Sequence, residues 1–401
     1  MIIFNQEQEN IIQKAVNHIL NPDQQVYQFG GKAGTGKTEV LKEIIRRIGI
    51  PLERIAVMTY IGQASIILRT RGLYNAKTAH STLYEFVEKP VLDINGNPVY
   101  DPTFNIPLKE MVFQPKDLYN IDYMVIDEAR TMPNSMKHEI ERRGLPIIAC
   151  GDHRQLPPVG DEPAYLRDED IPYIDTLHQV VRQKRGSHIL DLADAVYDGY
   201  QPSCGYYNDV LVIEKDDLND VLLNSANMVI CGRNVTRDYY NDRIRHIRGF
   251  RGSYPHAGEK VICRKNSWET EVAGISLANG LIGTVIQEPS VYDYKDKTFT
   301  IDFLPDMLDI PFQSLKCDSD YFTAPYQKRK LLKNNKFNGG HKFEFAYSIT
   351  THLSQGAQYP NGIYIKEYLG GNNNNCLDYT GVTRFSNMLI YVVPNTKRTF
   401  F

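Results

Sequence analysis

The stretch Gly30-Gly31-Lys32-Ala33-Gly34-Thr35-Gly36-Lys37-Thr38 decides the fold of this chain, because from Gly31 onward it fits the phosphate-loop pattern G-x-x-x-x-G-K-[ST]. Glycines in such a loop let successive backbone N–H groups turn inward around phosphate oxygens. Lys37 would bring a positive charge to the β- and γ-phosphates, and the Thr38 hydroxyl would ligate Mg²⁺. The predicted nucleotide-binding residues of the loop are Gly31, Ala33, Gly34, Thr35, Gly36, Lys37 and Thr38.

The flanking residues predict a strand before the loop and a helix after it. Val26–Phe29 is a short apolar-rich run, and apolar residues recur at helical spacing from Val40 to Ile48, with Gly49 at the C-terminal cap position. The loop therefore leads into a helix N-terminus, where the helix dipole favours an anionic phosphate. The alternative, a glycine-rich turn without a ligand, does not require these flanks.

The composition indicates a globular protein large enough for two or three domains. The chain has 401 residues, 42% of them hydrophobic and 23% charged, and a formal net charge of −3, which argues against a histone-like coating of nucleic acid. It contains no apolar run of bilayer-spanning length, and Met1–Asn5 does not resemble the start of a signal peptide. Six scattered cysteines include no C-x-x-C pair, so we expect reduced thiols in the cytoplasm and no membrane partner.

Strands alternating with helices predict a parallel sheet in the first half of the chain. Asn5 and Gln8 form an N-cap and N3 pair that opens a helix ending at Asn21-Pro22. Three further apolar runs follow the loop and read as strands: Ile55–Met58, Tyr123–Ile126 and Ile147–Cys150. Ligands of such sheets bind at the carboxyl ends of the strands.

Polar residues of chemical interest follow two of these runs. Asp127 and Glu128 end one strand, where the first carboxylate would assist Mg²⁺ and the second would act as general base on the attacking water. The segment Gly151–Val159 contains Gln155, whose amide can both donate to and accept from groups around a γ-phosphate. A loop punctuated by prolines is the alternative interpretation of that segment.

The second half predicts another α/β lobe that has no phosphate loop. Its strand candidates are Met228–Cys231, Val261–Cys263, Ile363–Ile365 and Met388–Val393, with a helix from about 236 to 247. Such a lobe can assist phosphoryl transfer only by supplying charges, and arginines suit a loose anionic transition state.

This ordered series of motifs resembles the superfamily 1 DNA helicases of the RecD-like branch, in particular its Dda-like members from T-even phages. The resemblance implies that Gln8 contacts adenine, and that Arg182 within Leu177–Gln183 and Arg384 within Tyr379–Arg384 are arginine fingers. Asn279–Gly283 and Thr351–Gly356 are similar to two further motifs of the family.

The fold class implied by the resemblance is α/β, with two RecA-like parallel-sheet lobes and two small insertions. We expect the first lobe at 1–185, with an inserted β-hairpin (1B) at 84–115. The second lobe would comprise 186–287 and 342–401, interrupted by an SH3-like β insertion (2B) at 288–341.

The resemblance also gives candidate DNA contacts, which are Gly62, Gln63, Thr78, His80, Tyr100, Asn234, Thr351 and His352. Tyr60-Ile61 replace the family's usual Pro-Thr, and Leu353 stands where Lys is usual. Ala129-Arg130 follow the carboxylates where the family often has a small residue and Ser. A structural histidine remains the alternative for His80.

A hairpin is predicted around Asn95-Gly96, because Asn-Gly between alternating apolar arms favours a two-residue turn. We hypothesise that it separates the duplex, with Tyr100 or Phe104 stacking on a base; a decorated surface loop is the alternative. The basic run Lys328-Arg329-Lys330, with Lys333 and Lys336, could contact DNA or form a solvated face, and so could the arginines Arg243, Arg245 and Arg248.

The sequence is therefore interpreted as an ATP- and Mg²⁺-dependent DNA helicase that translocates on single-stranded DNA and unwinds forked DNA. The resemblance alone implies 5′-to-3′ polarity. We expect a monomer in the cytoplasm of a bacterial host if it is phage-encoded, acting in replication, recombination or repair with single-strand-binding protein or replisome components as candidate partners. The alternatives are an ATPase that displaces proteins without opening duplex, an RNA helicase, and a small-molecule kinase, which would need neither Gln155 nor two distant arginines.

Overall fold

The structure is a computed structural model that describes residues 3–93, 95–100, 106–181, 187–293, 297–332, 340–371 and 373–395. Within these residues, no helix has the length and apolar character that crossing a membrane requires. Two parallel sheets, one in each half of the chain, organise the fold, and a hairpin and a smaller antiparallel sheet are inserted into them.

The first lobe is built on a parallel sheet with the strand order β3-β2-β6-β7-β1-β8. Strands of this half are β1 Val26–Gly31, β2 Ile55–Thr59, β3 Lys77–Thr78, β4 Tyr84–Pro90, β5 Lys109–Pro115, β6 Tyr123–Ile126, β7 Ile147–Gly151 and β8 Asp175–Leu177. Its α-helices are α1 Gln6–Leu20, α2 Lys37–Ile48, α3 Gly62–Thr70, α4 Ala79–Leu83 and α5 Lys137–Glu141, and its 3₁₀ turns are Leu52–Arg54, Ala129–Thr131, Asn134–Met136 and Ile171–Tyr173.

Local sequence signals account for the first two helices. The Asn5 side chain accepts a hydrogen bond from the Gln8 N–H, and the Gln8 side chain accepts one from the Asn5 N–H, so the predicted capping box is confirmed. Helix α2 ends at Ile48 and is capped by Gly49, which has a φ of 74° and donates its N–H to the Ile45 carbonyl, as the C-cap signal indicated. The apolar face of α2 is buried against the sheet and α1.

The second lobe has the strand order β20-β11-β21-β22-β10-β9, parallel except for the edge strand β9. Strands of this half are β9 Gly205–Tyr207, β10 Val210–Glu214, β11 Met228–Cys231, β12 Lys260–Cys263, β13 Ser267–Val272, β14 Ile275–Leu277, β15 Ile282–Val285, β16 Ser290–Asp293, β17 Thr298–Pro305, β18 Phe312–Asp318, β19 Phe343–Phe345, β20 Ser348–Thr350, β21 Tyr359–Ile365 and β22 Phe385–Val393. Its α-helices are α6 His188–Tyr197, α7 Asp220–Ser225, α8 Asn234–Ile247, α9 Ser319–Thr323, α10 Tyr326–Leu332 and α11 Asn374–Val382, and its 3₁₀ turns are Lys215–Asp217 and Thr351–Ser354. The two parallel-sheet lobes confirm the predicted α/β fold class.

A smaller antiparallel sheet has the order β16-β17-β15-β12-β19, with β18 paired to β17. Val261–Cys263, a strand candidate of the second lobe, is a strand, and it pairs antiparallel within this smaller sheet rather than in the parallel sheet. A short apolar run has the same pattern in either kind of sheet, and only its partners distinguish them. The strands of this sheet come from residues between Lys260 and Phe345, a longer range than the 288–341 expected for the insertion. Helices α9 and α10 also lie in this range, and they are too short to show a helical repeat of apolar residues in the sequence.

The predicted hairpin is present between β4 and β5, which pair antiparallel from Tyr84–Pro115 to Pro90–Lys109. Beyond them, the Asp93 carboxylate accepts the N–H groups of Asn95 and Asn97 at 2.8 and 2.9 Å and closes the turn that contains Gly96. Tyr100, beyond this turn, is half exposed. Phe104, the other proposed stacking residue, lies outside the described residues.

Candidate nucleotide site at the seam of the two lobes

The phosphate loop joins β1 to α2 and needs glycine at specific positions. Gly34 and Gly36 have φ values of 81° and 86°, a left-handed conformation that side chains disfavour. A Cβ at Gly31 would lie 2.6 Å from Thr35 Oγ1 and 3.0 Å from Leu177 Cβ, so a larger residue there would force the loop to shift. These constraints favour a loop that turns its backbone amides towards an anion.

Lys37 and Gln8 hold the loop through its carbonyl groups. Lys37 Nζ donates to the carbonyls of Gly31 and Lys32 at 2.8 and 3.0 Å. The buried Gln8 side chain donates from Nε2 to the Thr35 carbonyl at 3.0 Å, while its Oε1 accepts the Asn5 N–H. Gln8 therefore ties α1 to the loop, a role that the sequence did not reveal; its adenine contact stays a prediction.

The two predicted acidic residues lie at the carboxyl end of β6. Asp127 is buried, and its Oδ1 accepts the Glu128 N–H at 2.9 Å and the Cys150 thiol at 3.3 Å. Glu128 has a φ of 51°, an uncommon conformation for a residue with a side chain. Burial and the neighbouring Asp127 raise the pKa of Glu128 above its ordinary value, although Lys37 and Arg384 oppose the shift. A carboxyl with a raised pKa is suited to take a proton from water.

Gln155 lies in the segment after β7 with a free acceptor. Its side chain is buried, and its Oε1 has no hydrogen-bond partner among the residues that the structure describes. Buried Arg130 fixes the backbone of this segment, donating from Nε to the Gln155 carbonyl at 3.0 Å and from Nη1 to the Leu166 carbonyl at 2.8 Å. In the sequence Arg130 was only a departure from the family pattern; in the structure it holds the residue predicted to sense phosphate.

Arg384 comes from the second lobe to the same crevice. It follows α11, and its guanidinium donates to the Thr380 carbonyl at 3.0 Å, the Ala357 carbonyl at 3.4 Å and Thr383 Oγ1 at 3.2 Å. Arg182, the other predicted finger, lies outside the described residues. Its neighbour Val181 donates its N–H to the Gly34 carbonyl at 3.0 Å, which fastens the preceding chain to the phosphate loop.

These groups line one cavity of about 740 Å³ between the lobes, a volume usual for a cofactor-sized ligand. Thr38 and Asp127 offer the hard oxygen ligands that Mg²⁺ prefers. The phosphate loop, whose shape depends on glycine, also fits a phosphate group. The unpartnered Gln155 Oε1 can accept a hydrogen bond from the water that attacks this phosphate. The predicted site residues lining the cavity are Ala33, Gly34, Gly36, Lys37, Thr38, Asp127, Glu128, Gln155 and Arg384.

Four of the predicted DNA contacts lie on or beside α3 and α4. Gly62 begins α3, and a Cβ there would lie 3.0 Å from Ala278 Cβ. Gln63 is buried, and Thr78 caps α4 by accepting the Ser81 N–H at 3.2 Å. His80 is half-buried between the rings of Tyr60 and Tyr84, with centroids 5.7 and 6.4 Å away, and burial lowers its pKa.

The remaining predicted contacts are dispersed. Thr351 is fully buried and donates its hydroxyl to the Cys231 carbonyl at 3.2 Å, so this hydroxyl serves the second lobe internally. His352 is half-buried, burial lowers its pKa, and it lines a separate cavity of about 240 Å³ with Pro157 and Pro158. Asn234 begins α8, and Tyr100 lies in the hairpin. The DNA-binding roles of all eight residues stay predictions.

Most of the basic residues considered for DNA binding have internal partners. Arg245 pairs with buried Glu259 at 2.7 Å, and Arg243 pairs with Asp220 at 2.7 Å. Arg329 pairs with Asp238 at 2.6 Å and with Glu344 at 3.3 Å. Lys328 and Lys330 are exposed on either side of it, and Lys333 and Lys336 lie outside the described residues.

A phosphate loop facing a second parallel-sheet lobe, with a carboxylate pair and an arginine in the seam, defines a P-loop protein built to bind a nucleoside triphosphate between two lobes. A family model described as AAA domain matches residues 4–216, more than half of the chain. The chain belongs to this AAA domain family.

Pif1 helicases are among the proteins that the chain is similar to. Over 217 residues, half of this chain, it is 26% identical to the ATP-dependent DNA helicase PIF1 of Trypanosoma brucei brucei, and it spans only 20% of the length of that relative. The fold matches a crystal structure of the Pif1 helicase from Candida albicans with a TM-score of 0.55 and 18% identity, over 99% of this chain and 95% of that one. It also matches a Bacteroides Pif1 helicase in complex with ADP-AlF3 and ssDNA with a TM-score of 0.56 and 15% identity, over 100% and 95% of the two chains.

Proposed function

We propose that this chain is an ATP-dependent DNA helicase of the Pif1-like superfamily 1 group. The observation that carries the proposal is that the phosphate loop, Glu128 and Gln155 of the first lobe line one crevice with Arg384 of the second. This arrangement allows a triphosphate to be bound by one lobe and its developing charge to be neutralised by the other. A cycle of closure and opening between the lobes follows from that division of roles.

Each residue then has a defined task. The loop amides and Lys37 hold the phosphates, Glu128 takes a proton from the attacking water, and Gln155 orients that water or the γ-phosphate. Arg384 stabilises the charge that develops as the phosphoryl group leaves. Thr38 and Asp127 would hold Mg²⁺, which would offset the negative charge of the phosphates when bound.

DNA as the substrate is supported by the names of similar proteins. One structure with a similar fold is a Bacteroides Pif1 helicase in complex with ADP-AlF3 and ssDNA. A second structure concerns DNA unwinding at forked dsDNA by two coordinating Pif1 helicases, and it matches this chain with a TM-score of 0.57 and 17% identity. The hairpin of β4 and β5, inserted into the first lobe, is the candidate element for separating the duplex. The finer parts of the proposal are a RecD-like, Dda-like placement, 5′-to-3′ polarity and action as a monomer in the cytoplasm, which would be that of a bacterial host if the protein is phage-encoded.

The deciding experiment uses labelled forked duplexes with either a 5′ or a 3′ single-stranded tail, with ATP and Mg²⁺. We expect unwinding of the 5′-tailed substrate and its loss in the Lys37→Ala variant. Stimulation of ATPase by DNA without strand separation, together with displacement of a protein block, would instead identify a protein-displacing ATPase. Stronger stimulation by single-stranded RNA than by DNA would reject DNA as the substrate.

A further inference from the structure

One carboxylate of the second lobe pairs with two basic side chains of the first lobe. Asp194 lies on α6, whose apolar side chains are buried in the core of the second lobe. Its Oδ2 accepts a hydrogen bond from Lys32 Nζ of the phosphate loop, and its Oδ1 accepts one from Arg154 Nη1, each at 2.8 Å. Arg154 directly precedes Gln155 in the sequence. Asp194 thus joins the phosphate loop and the Gln155 segment to the opposite lobe.

A second contact from the same helix holds Arg154 in this position. The guanidinium carbon of Arg154 lies 4.5 Å from the centre of the Tyr197 ring, and Tyr197 follows Asp194 by three residues on α6. Cations are attracted to the face of an aromatic ring at such a distance. Helix α6 therefore contacts the first lobe through two salt bridges and one cation–π contact.

The two salt bridges lie beside the nucleotide crevice and not inside it. Lys32, Arg154 and Asp194 do not line the cavity, so both pairs can persist while a nucleotide is bound. Their side chains are 26%, 18% and 42% exposed, so solvent screens the pairs only in part. Because both cations lie within hydrogen-bonding distance of one carboxylate, they would repel each other if its charge were removed.

We propose that Asp194 is a positioning residue that holds the second lobe, with Arg384, against the phosphate loop. In this arrangement Arg384 lines the crevice together with Lys37 and Glu128. A ligand that needs both lobes binds less tightly when the lobes are apposed for only part of the time. Asp194 therefore raises the affinity for a triphosphate without touching it. This inference rests on the proposed function, since it assumes that ATP is bound between the lobes.

The relative position of the lobes is measured without nucleotide in Asp194→Asn, which keeps the size of the side chain and removes its charge. Cys204 is an exposed thiol of the second lobe, and Tyr119 is 89% exposed in the first, so Tyr119→Cys provides a second site for a spin label. Cys376, which is partly exposed, is replaced by Ser throughout. Distances between the two labels come from double electron–electron resonance. We expect a longer and broader distribution of distances in Asp194→Asn than in the chain that keeps Asp194.

Asp191→Asn is the matched control, because it removes the same charge from the same helix. Asp191 is exposed and forms no ion pair with the residues that the structure describes. Its label distances should equal those of the chain with both aspartates. Equal distances in Asp194→Asn and Asp191→Asn would overturn the proposal.

Nucleotide binding gives a second readout, which a loss of stability alone would not produce. In calorimetry with Mg²⁺, Asp194→Asn should bind the non-hydrolysable ATP analogue AMP-PNP about fivefold more weakly than Asp191→Asn, as expected for two partly exposed ion pairs. ADP lacks the γ-phosphate that Arg384 would face, so its affinity should change by less than about twofold. An equal loss for both nucleotides would contradict the role of Asp194 in bringing the lobes together.

A double-variant cycle tests whether Asp194 acts through Lys32. Lys32→Met removes the cation, and the loss of AMP-PNP affinity that it causes should be smaller in the Asp194→Asn chain than in wild type. Losses that multiply in the double variant, or unchanged AMP-PNP binding by folded Asp194→Asn, would overturn the role of Asp194 alone. A wild-type chain that binds no AMP-PNP would overturn the proposed function, and the label distances would still decide whether Asp194 holds the lobes together.

Discussion

Replacing Arg384 by Ala tests whether the second lobe takes part in hydrolysis. The guanidinium donates to two backbone carbonyls and one hydroxyl, at 3.0, 3.4 and 3.2 Å, and it is buried. At about 1 kcal/mol for each bond, and less for the longest, the substitution should lower the free energy of unfolding by about 2–3 kcal/mol. The loss of an arginine that stabilises transition-state charge should lower kcat by about a thousandfold or more.

The two effects are separated by Arg248→Ala, which removes the same charge from the same lobe. Arg248 lies over the Tyr347 ring at 5.0 Å and bonds two backbone carbonyls at 3.4 Å, away from the crevice. ATPase is measured with saturating ATP and single-stranded DNA, and unfolding is followed by denaturant titration. If Arg384→Ala kept kcat within about tenfold of wild type, the assignment of Arg384 to the transition state would be refuted.

Three further predictions follow from named contacts. Glu128→Gln should still bind ATP but lose about 10²- to 10⁴-fold in kcat. Hydrolysis needs the ionised carboxyl, and the pKa of Glu128 is raised, so the wild-type rate should begin to fall at a pH above 4.5 on acidification. A rate that stays level down to pH 4.5 would contradict the role of Glu128 as the base. Burial raises the pKa of Glu344, but Arg264, Arg237 and Arg329 outweigh it and lower the pKa to about 2, so Glu344→Gln should lower the free energy of unfolding by about 3–5 kcal/mol at neutral pH. That difference should shrink as pH falls from 4.5 towards 2, because protonation removes the contribution of the carboxylate; a constant difference in denaturant titrations would exclude it. Deletion of residues 92–99 should abolish unwinding of forked duplex while sparing DNA-stimulated ATPase, and loss of both activities would reject the hairpin as the strand separator.

The helices and strands nearest the phosphate loop could be predicted from the sequence, because their signals are local, whereas α3, α4, α5, β3 and β8 were not predicted. Asn5 with Gln8, Gly49 after α2, and the apolar runs that became β2, β6 and β7 each specify a boundary within a few residues. The phosphate loop places the site by its own pattern. Each of these signals lies within a few residues of the element that it predicts, so the prediction does not depend on which segments pack against that element.

The small sheet and the partners of the site residues could not be predicted in this way. Val261–Cys263 is apolar whether it pairs with a parallel or an antiparallel neighbour, and its neighbours β15 and β19 lie about 20 and 80 residues further along the chain. Thr351 matched a motif, yet its hydroxyl is used inside the lobe. The contacts of Arg130 depend on segments that the fold brings together, and no pattern in the sequence predicts such contacts.

The structure also explains how binding at the phosphate loop could reach the rest of the molecule without a large interface. Arg384 Nε donates to the Thr380 carbonyl, and Thr380 Oγ1 accepts the N–H of Leu156, next to Gln155. Arg384, which we propose neutralises the phosphate charge, and the Gln155 segment are therefore joined through Thr380 of α11. Because such bonds are short and directional, a shift of Arg384 towards a bound triphosphate would displace Leu156 as well. We therefore expect closure of the lobes on a triphosphate to move Gln155 as well, which would tie hydrolysis to the relative position of the lobes.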